Sequence, residues 1–236
     1  LPCARPITAA AAVLAAGSAW ADPPARVGRI SLVDGNVTLQ QSADDDGWPD
    51  AIEQPRDYPL TTGDRLTTGR GARAEVQIGS TRLRLDERTR LEVLRLDDDD
   101  IRLRLIDGAV SLRLRSERAA RDLELVTEAG RLRPREAGLY LVDASGRRDR
   151  VLVWRGSARF DGRQGGLTLR TGQQAAFDID DGDWRLEDPA VDPFAQWALE
   201  DRERRQPMPE LPDSLAGLDD LAEHGRFDGT LHLIFQ

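Results

Sequence analysis

From Leu60 to Arg115 aliphatic side chains alternate with arginines and acids, and short Gly/Asp turns break the run. Val76 and Ile78 alternate with Glu75 and Gln77, Leu83 and Leu85 with Arg82 and Arg84, Ile101, Leu103 and Leu105 with Arg102 and Arg104, and Val110, Leu112 and Leu114 with Arg113 and Arg115. A period of two puts successive side chains on opposite faces of a strand, and no 3.6-residue helical period fits these positions. The pattern predicts half-buried strands with a charged outer face. They fall at 72–78, 81–85, 90–96, 101–106 and 109–115. Further strands are predicted at 122–127, 138–143, 150–155, 157–161, 166–170 and 173–179. Upstream, 26–33 and 36–41 read as a hairpin closed at Asp34-Gly35, a pair that supplies the positive φ of a tight primed turn. Pro134 cannot donate to a ladder, so 131–135 is expected at an edge or a bulge. Short strands at regular spacing define an all-β fold, an antiparallel sandwich or jelly roll or a solenoid-like barrel.

Both ends of the chain read differently. Arg5, the apolar run from Ile7 to Ala16 and Ala19-Trp20-Ala21 have the order of a secretory signal peptide, which assigns 1–21 to a leader. The apolar run is shorter than the about 20 residues of a membrane span, so no span is expected after cleavage. The β domain is assigned to 22–187. Beyond it, 188–236 is a tail rich in proline and charge, with a helix predicted at about 193–205. There Asp192 caps, Pro193 opens the first turn, and Phe194, Trp197 and Ala198 line one face. Two aromatics on that face can pin the helix to the sheet or dock a partner.

Composition narrows the function. The chain has 236 residues, one cysteine and a net charge of −9, and all its basic side chains are arginine. The acidic balance disfavours nucleic-acid binding, although Arg102, Arg104, Arg113 and Arg115 could form a local basic stripe. Cleavage after Ala21 would remove Cys3, leaving a chain without disulfide or thiolate metal site, which suits a bacterial periplasm or secretion.

Candidate chemistry is sparse. His224 and His232 lie in the tail, far in sequence from any serine–acid constellation. Acids are abundant enough for paired carboxylates, but nothing marks Glu75, Asp86 or Glu124 as an acid of raised pKa, and the aromatic platforms of a sugar cleft are scarce. The acid runs Asp44–Asp46, Asp97–Asp100 and Asp178/Asp180/Asp181/Asp183 lack helix-loop-helix calcium spacing and read as solvated turns. Trp48 reads as a lid on the open end of a sheet or a ligand platform. Gly63 suits a left-handed corner, Asp64 can accept hydrogen bonds from nearby amides, and Leu60 and Leu66 would enter the core on either side. No catalytic, cofactor or metal residues are assigned.

The run V-G-x-I-S-x-V-x-G-x-V from Val27 to Val37, then Trp48, then L-x-x-G-D-x-L-x-T from Leu60 to Thr68, resembles the FecR-like periplasmic domain. Later echoes are Asp107-Gly108-Ala109-Val110, Gly138-Leu139-Tyr140-Leu141-Val142 and Trp154-Arg155-Gly156. Together they cover about 26–180. In the tail, Asp192-Pro193-Phe194, Trp197 and Leu218-Asp219-Asp220-Leu221 resemble an exported branch of that family. Trp48, Leu60, Gly63, Asp64, Leu66 and Thr68 are the motif positions, with structural roles expected. Membrane-spanning regulators of this family carry an anti-sigma segment and a transmembrane helix, and neither is read here. The expectation is a non-catalytic periplasmic module that binds an envelope protein or polymer. An accessory sensor in FecR-type cell-surface signalling and an acid-catalysed glycan hydrolase are the alternatives.

Overall fold

The computed structural model describes residues 26–42 and 51–200. The chain divides into two units, Leu1–Leu199 and Glu200–Gln236, and the first is described below. The expected leader, Trp48, Asp44–Asp46, residues 201–205 of the expected helix and both histidines lie outside the described residues.

The alternating segments form strands that pack as two facing sheets of nine. One sheet, A, takes β1 (Gly28–Asp34), β4 (Pro59–Leu60), β6 (Arg73–Ile78), β7 (Thr81–Leu85), β10 (Ala109–Leu114), β13 (Gly138–Asp143), β14 (Arg148–Arg155), β17 (Gln173–Asp178) and β18 (Trp184–Glu187). The other, B, takes β2 (Val37–Gln40), β3 (Ile52–Glu53), β5 (Arg65–Thr68), β8 (Arg90–Leu96), β9 (Ile101–Asp107), β11 (Leu123–Val126), β12 (Gly130–Pro134), β15 (Ser157–Gly162) and β16 (Gly165–Arg170). From β6 onward the chain adds strands to the two sheets in turn, always at the same growing end. The result is a sandwich wound like a flattened solenoid. It is not a closed barrel, because among the described residues each sheet keeps two free edges. Among the described residues no helix is long and apolar enough to cross a membrane.

The aliphatic partners of the alternation fill the space between the sheets: Val76, Leu83, Leu103, Leu112, Val142 and Val151 are at most 1% exposed. Phe160 of β15 stacks on Phe177 of β17 at 3.9 Å between centroids, joining the sheets near one end.

Several expectations change. The 26–33/36–41 hairpin is absent, because β1 and β2 belong to opposite sheets. Its turn carries positive φ at Gly35 alone, whereas a two-residue type I′ turn needs it at both central positions. The chain therefore turns a corner between layers. Gly79-Ser80, with glycine at the first central position, does close the antiparallel pair β6–β7. The sheets are also not wholly antiparallel, since β11 runs parallel to β9 in register Leu123↔Ile101 to Val126↔Arg104. Between those strands the chain crosses to sheet A as β10 and returns through a helix the periodicity does not predict, α1 (Glu117–Asp122), capped by Ser116 Oγ accepting from Ala119 N at 3.2 Å. Six residues are too short to show a helical period.

The segment around Pro134 is β12, an interior strand between β11 and β15. Pro134 is tolerated because it ends the strand, beyond the stretch paired with β11. The predicted 193–205 helix is shorter, α2 (Pro193–Leu199). Finally, the basic stripe does not form. Arg102 and Arg104 lie on β9 in sheet B, and Arg113 on β10 in sheet A, with Arg115 just beyond it. On sheet B the arginines instead join a cross-strand ladder. Arg65 and Arg104 meet Glu92 at 3.6 and 3.2 Å, Arg102 and Arg133 meet Glu124 at 3.4 and 2.7 Å, and Arg133 continues to Asp161 at 3.0 Å. Alternating signs opposite one another make that face nearly self-neutralising.

Candidate interaction surface

The motif residues near Gly63 are consumed by the corners at the two ends of β5. Gly63 takes φ +90°, and a Cβ there would lie 2.6 Å from Ser42 Cβ. Asp64 is buried; its Oδ1 accepts from Ser42 N at 2.9 Å and its Oδ2 from Thr61 N at 2.7 Å and Thr61 Oγ1 at 3.1 Å. Leu60 and Leu66 are fully buried on either side. Thr68 Oγ1 donates to Asp86 O at 2.5 Å and accepts from Thr89 N at 2.8 Å. These groups hold backbone, and none presents a free polar atom to a ligand.

A second motif pair meets where β13 and β14 lie side by side. Tyr140 is buried, and its hydroxyl lies 2.6 Å from Glu136 O and 3.0 Å from Ser157 O. Gly156, at φ +96°, passes so close that a Cβ would stand 2.5 Å from that hydroxyl. The G-x-Y and W-R-G fragments are thus one packing unit. Burial pushes the Tyr140 phenol up to about 12.

The carboxylates considered for glycan chemistry are separated. Glu75 on β6 bonds Arg84, and Glu124 on β11 pairs Arg102 and Arg133, on the outer faces of opposite sheets. Asp86 has its pKa raised by burial, against the pull of Arg73 at 3.6 Å. Asp97 Oδ1 accepts from the amides of Asp99 and Asp100, and Asp178 Oδ1 from that of Asp180, so both acid runs tie their own turns. Among the described residues no group of three His, Cys, Asp or Glu is placed to hold a metal ion.

The outer face of sheet A is partly dry. Leu139, Leu141 and Leu152 are covered by Phe194, Ala195, Trp197 and Ala198 of α2. Asp192 Oδ1 accepts from Ala195 N at 2.7 Å and caps the helix. Clefts of about 370 and 430 Å³ flank its start, both bordered by Asp192 and Phe194. This is the helix pinned to its own sheet by two aromatics.

What remains open is the growing end of the sandwich. β16 packs against β14 and β17, so β18 overhangs with no described strand opposite it. Register pairs Trp184 with Phe177 and Leu186 with Ala175, and those partners face the core. Trp184 and Leu186 therefore continue the core face past the end of sheet B, and they are 45% and 57% exposed. Sequence reasoning missed them: the last predicted strand ends at 179, and Asp180, Asp181 and Asp183 read as a solvated turn. The signal was the period-two alternation of Trp184-Arg185-Leu186-Glu187, too short to stand alone.

The described residues thus form an all-β sandwich of two nine-stranded sheets with glycine–aspartate corners. Residues 64–159 match the family described as FecR protein, and this stretch is FecR-like. The matched stretch runs from the Asp64 corner through β15 and so spans the centre of both sheets. Two crystal structures of a candidate anti-sigma factor from Parabacteroides distasonis ATCC 8503 are similar, with TM-scores of 0.49 and 0.48 at 13% and 14% identity. Each comparison covers 56% of this chain and 63% of the other, so this chain spans under two thirds of those proteins. No curated protein matches.

Proposed function

We propose that this protein is a non-catalytic interaction module of the bacterial cell envelope, exported to the periplasm or beyond, which binds another protein through its β domain. The observation that carries this reading is the continuation of the core face at Trp184 and Leu186, which are 45% and 57% exposed with no described strand opposite them. Large apolar side chains standing together on an unopposed strand are a contact surface in a soluble β domain. The apolar leader-like run at the N-terminus supports export, and the FecR-like domain favours a role as accessory sensor in cell-surface signalling.

The test places a photo-crosslinking residue at position 186 of the full chain in living cells, with position 104 on the charged face of sheet B as control. A discrete protein adduct from position 186 alone, in the periplasmic fraction, is expected. A chain retained in the cytoplasm, or release of reducing sugar from peptidoglycan by the purified protein, would overturn the reading.

A further inference from the structure

The two ends of the sandwich are built differently. At the β3/β4 end the edge strands are two residues long and one contains Pro59, the usual means of blunting an edge. At the other end the edges are β16, of six residues, and β18, of four. Here the layers are out of step by about one strand, because β18 extends beyond β16. The step forms a groove with the free edge of β16 as one wall and Trp184 and Leu186 as its roof.

The groove has a backbone template. Arg170 N–H turns away from β15 to donate to Gln173 Oε1 at 2.8 Å. By alternation along the strand, Thr168 and Gly166 turn their N–H groups the same way, toward the open side. Leu167 and Leu169 point inward, as their pairing with Phe160 and Ala158 requires, and Leu169 is buried.

The groove also has a charge axis. Arg170, exposed, ends β16 at one side. At the other, Gln164 Nε2 donates to Asp181 O at 2.7 Å and Arg163 Nη1 to Asp180 O at 3.2 Å, which brings the β17–β18 turn and the exposed Asp181 and Asp183 beside the start of β16.

We propose that this groove accepts one extended segment of a partner protein, which adds to sheet B as an antiparallel strand beside β16 beneath β18. Its chemistry follows from the walls: apolar side chains at alternate positions against Trp184 and Leu186, an acid beside Arg170, and a base beside Asp181 and Asp183. Main-chain pairing supplies affinity and the alternate pockets supply choice, as in other strand-addition sites. A second copy paired β16 to β16 about a two-fold axis would set the two overhanging β18 strands against each other, and it is an outcome of the test. The proposal rests on the reading of the chain as a binding module, and its test separates the two.

The probe is the blocked peptide Glu-Val-Thr-Ile-Thr-Lys, added to the full chain and followed by amide hydrogen exchange and tryptophan fluorescence. Exchange at Gly166 and Thr168 should slow at least tenfold on saturation, with a blue shift in emission. Glu-Val-Pro-Ile-Pro-Lys, which lacks two ladder donors, should do neither. Leu186→Lys, at an exposed position that leaves the fold intact, should abolish the response, and Arg170→Glu should weaken it at least fivefold. Protection of β16 in the monomeric chain without peptide would mean residues of the same chain already fill the groove, and protection tracking dimer formation would mean a second copy does. Either overturns the proposal. A cellular adduct at position 186 with no effect of peptide on β16 exchange would remove strand addition while the binding-module reading stands.

Discussion

Arg84 Nη1 donates to the carbonyl of Trp197 at 2.6 Å, across 113 residues of sequence. The guanidinium also bonds Ala198 O at 3.2 Å and Glu75 Oε2 at 2.9 Å, and its carbon lies 5.0 Å from the centroid of the Trp197 ring. A buried arginine thus caps the last carbonyls of α2, where the helix dipole is negative, while a carboxylate on its own sheet balances it.

Removing that cap should release α2. Arg84→Met keeps the aliphatic stem but leaves Glu75 and the helix carbonyls short of a donor, and is expected to cost roughly 3 kcal/mol. Chemical denaturation measures the loss, and red-shifted tryptophan emission with faster exchange over 194–199 would locate it at α2. Unchanged exchange there would show that Phe194 and Trp197 hold the helix without the arginine.

The Asp64 corner should be equally intolerant. Asp64→Ala strips three hydrogen bonds from a charged acceptor and is expected to cost about 2–4 kcal/mol. Gly63→Val combines positive φ with contact on Ser42 and should cost at least about 2 kcal/mol. Thermal unfolding checks both, and a wild-type midpoint for either would remove the corner from the stability of the domain.

Tyr140 and Gly156 should be coupled. Tyr140→Phe loses a buried hydroxyl bond worth about 1–2 kcal/mol. Gly156→Ala drives a methyl into that hydroxyl and should cost more. In the double variant the methyl finds the hydroxyl gone, so its destabilisation should fall short of the sum by about 1 kcal/mol in a double-mutant cycle. Strict additivity would contradict the observed contact. Because the folded phenol is held up to about 12, the unfolded chain ionises first, so this residue's contribution to stability is lost as pH rises from the ordinary tyrosine range toward 12.

Asp149 should set a pH dependence at the acid end. It is fully buried; Oδ2 accepts from Ala129 N at 3.0 Å, while Oδ1 has no partner among the described residues. Burial raises its pKa, the nearby Thr127 hydroxyl and the hydrogen bond from Ala129 oppose this, and Glu128 and Asp143 reinforce it. The folded chain therefore holds a proton the unfolded chain releases. Stability falls as pH rises from the ordinary carboxylate range through the raised value. Asp149→Asn should flatten that segment of the stability–pH curve and be more stable than wild type at pH 7. An unchanged curve would assign the dependence to other groups.

Face assignment along each strand was legible in the sequence, as the core positions Leu103 and Leu112 show, because alternation is a local property of extended backbone. The Gly63-Asp64 turn was legible for the same reason: its donors lie a few residues away or one strand over. Sheet membership was not. The two-residue signals at Asp34-Gly35 and Gly79-Ser80 look alike as turns, yet one changes layer and the other closes a hairpin, and the difference lies in backbone angles that composition does not encode. Nor could local pattern distinguish Arg84 from Arg102. Both alternate with leucines, but one is sealed beneath a distant helix and the other stands in a surface ladder. The strand pattern and the kinship of the domain belong to the sequence. The cover on sheet A and the exposed step at β18 belong to the tertiary structure, since each depends on which segments, far apart along the chain, end up opposite one another.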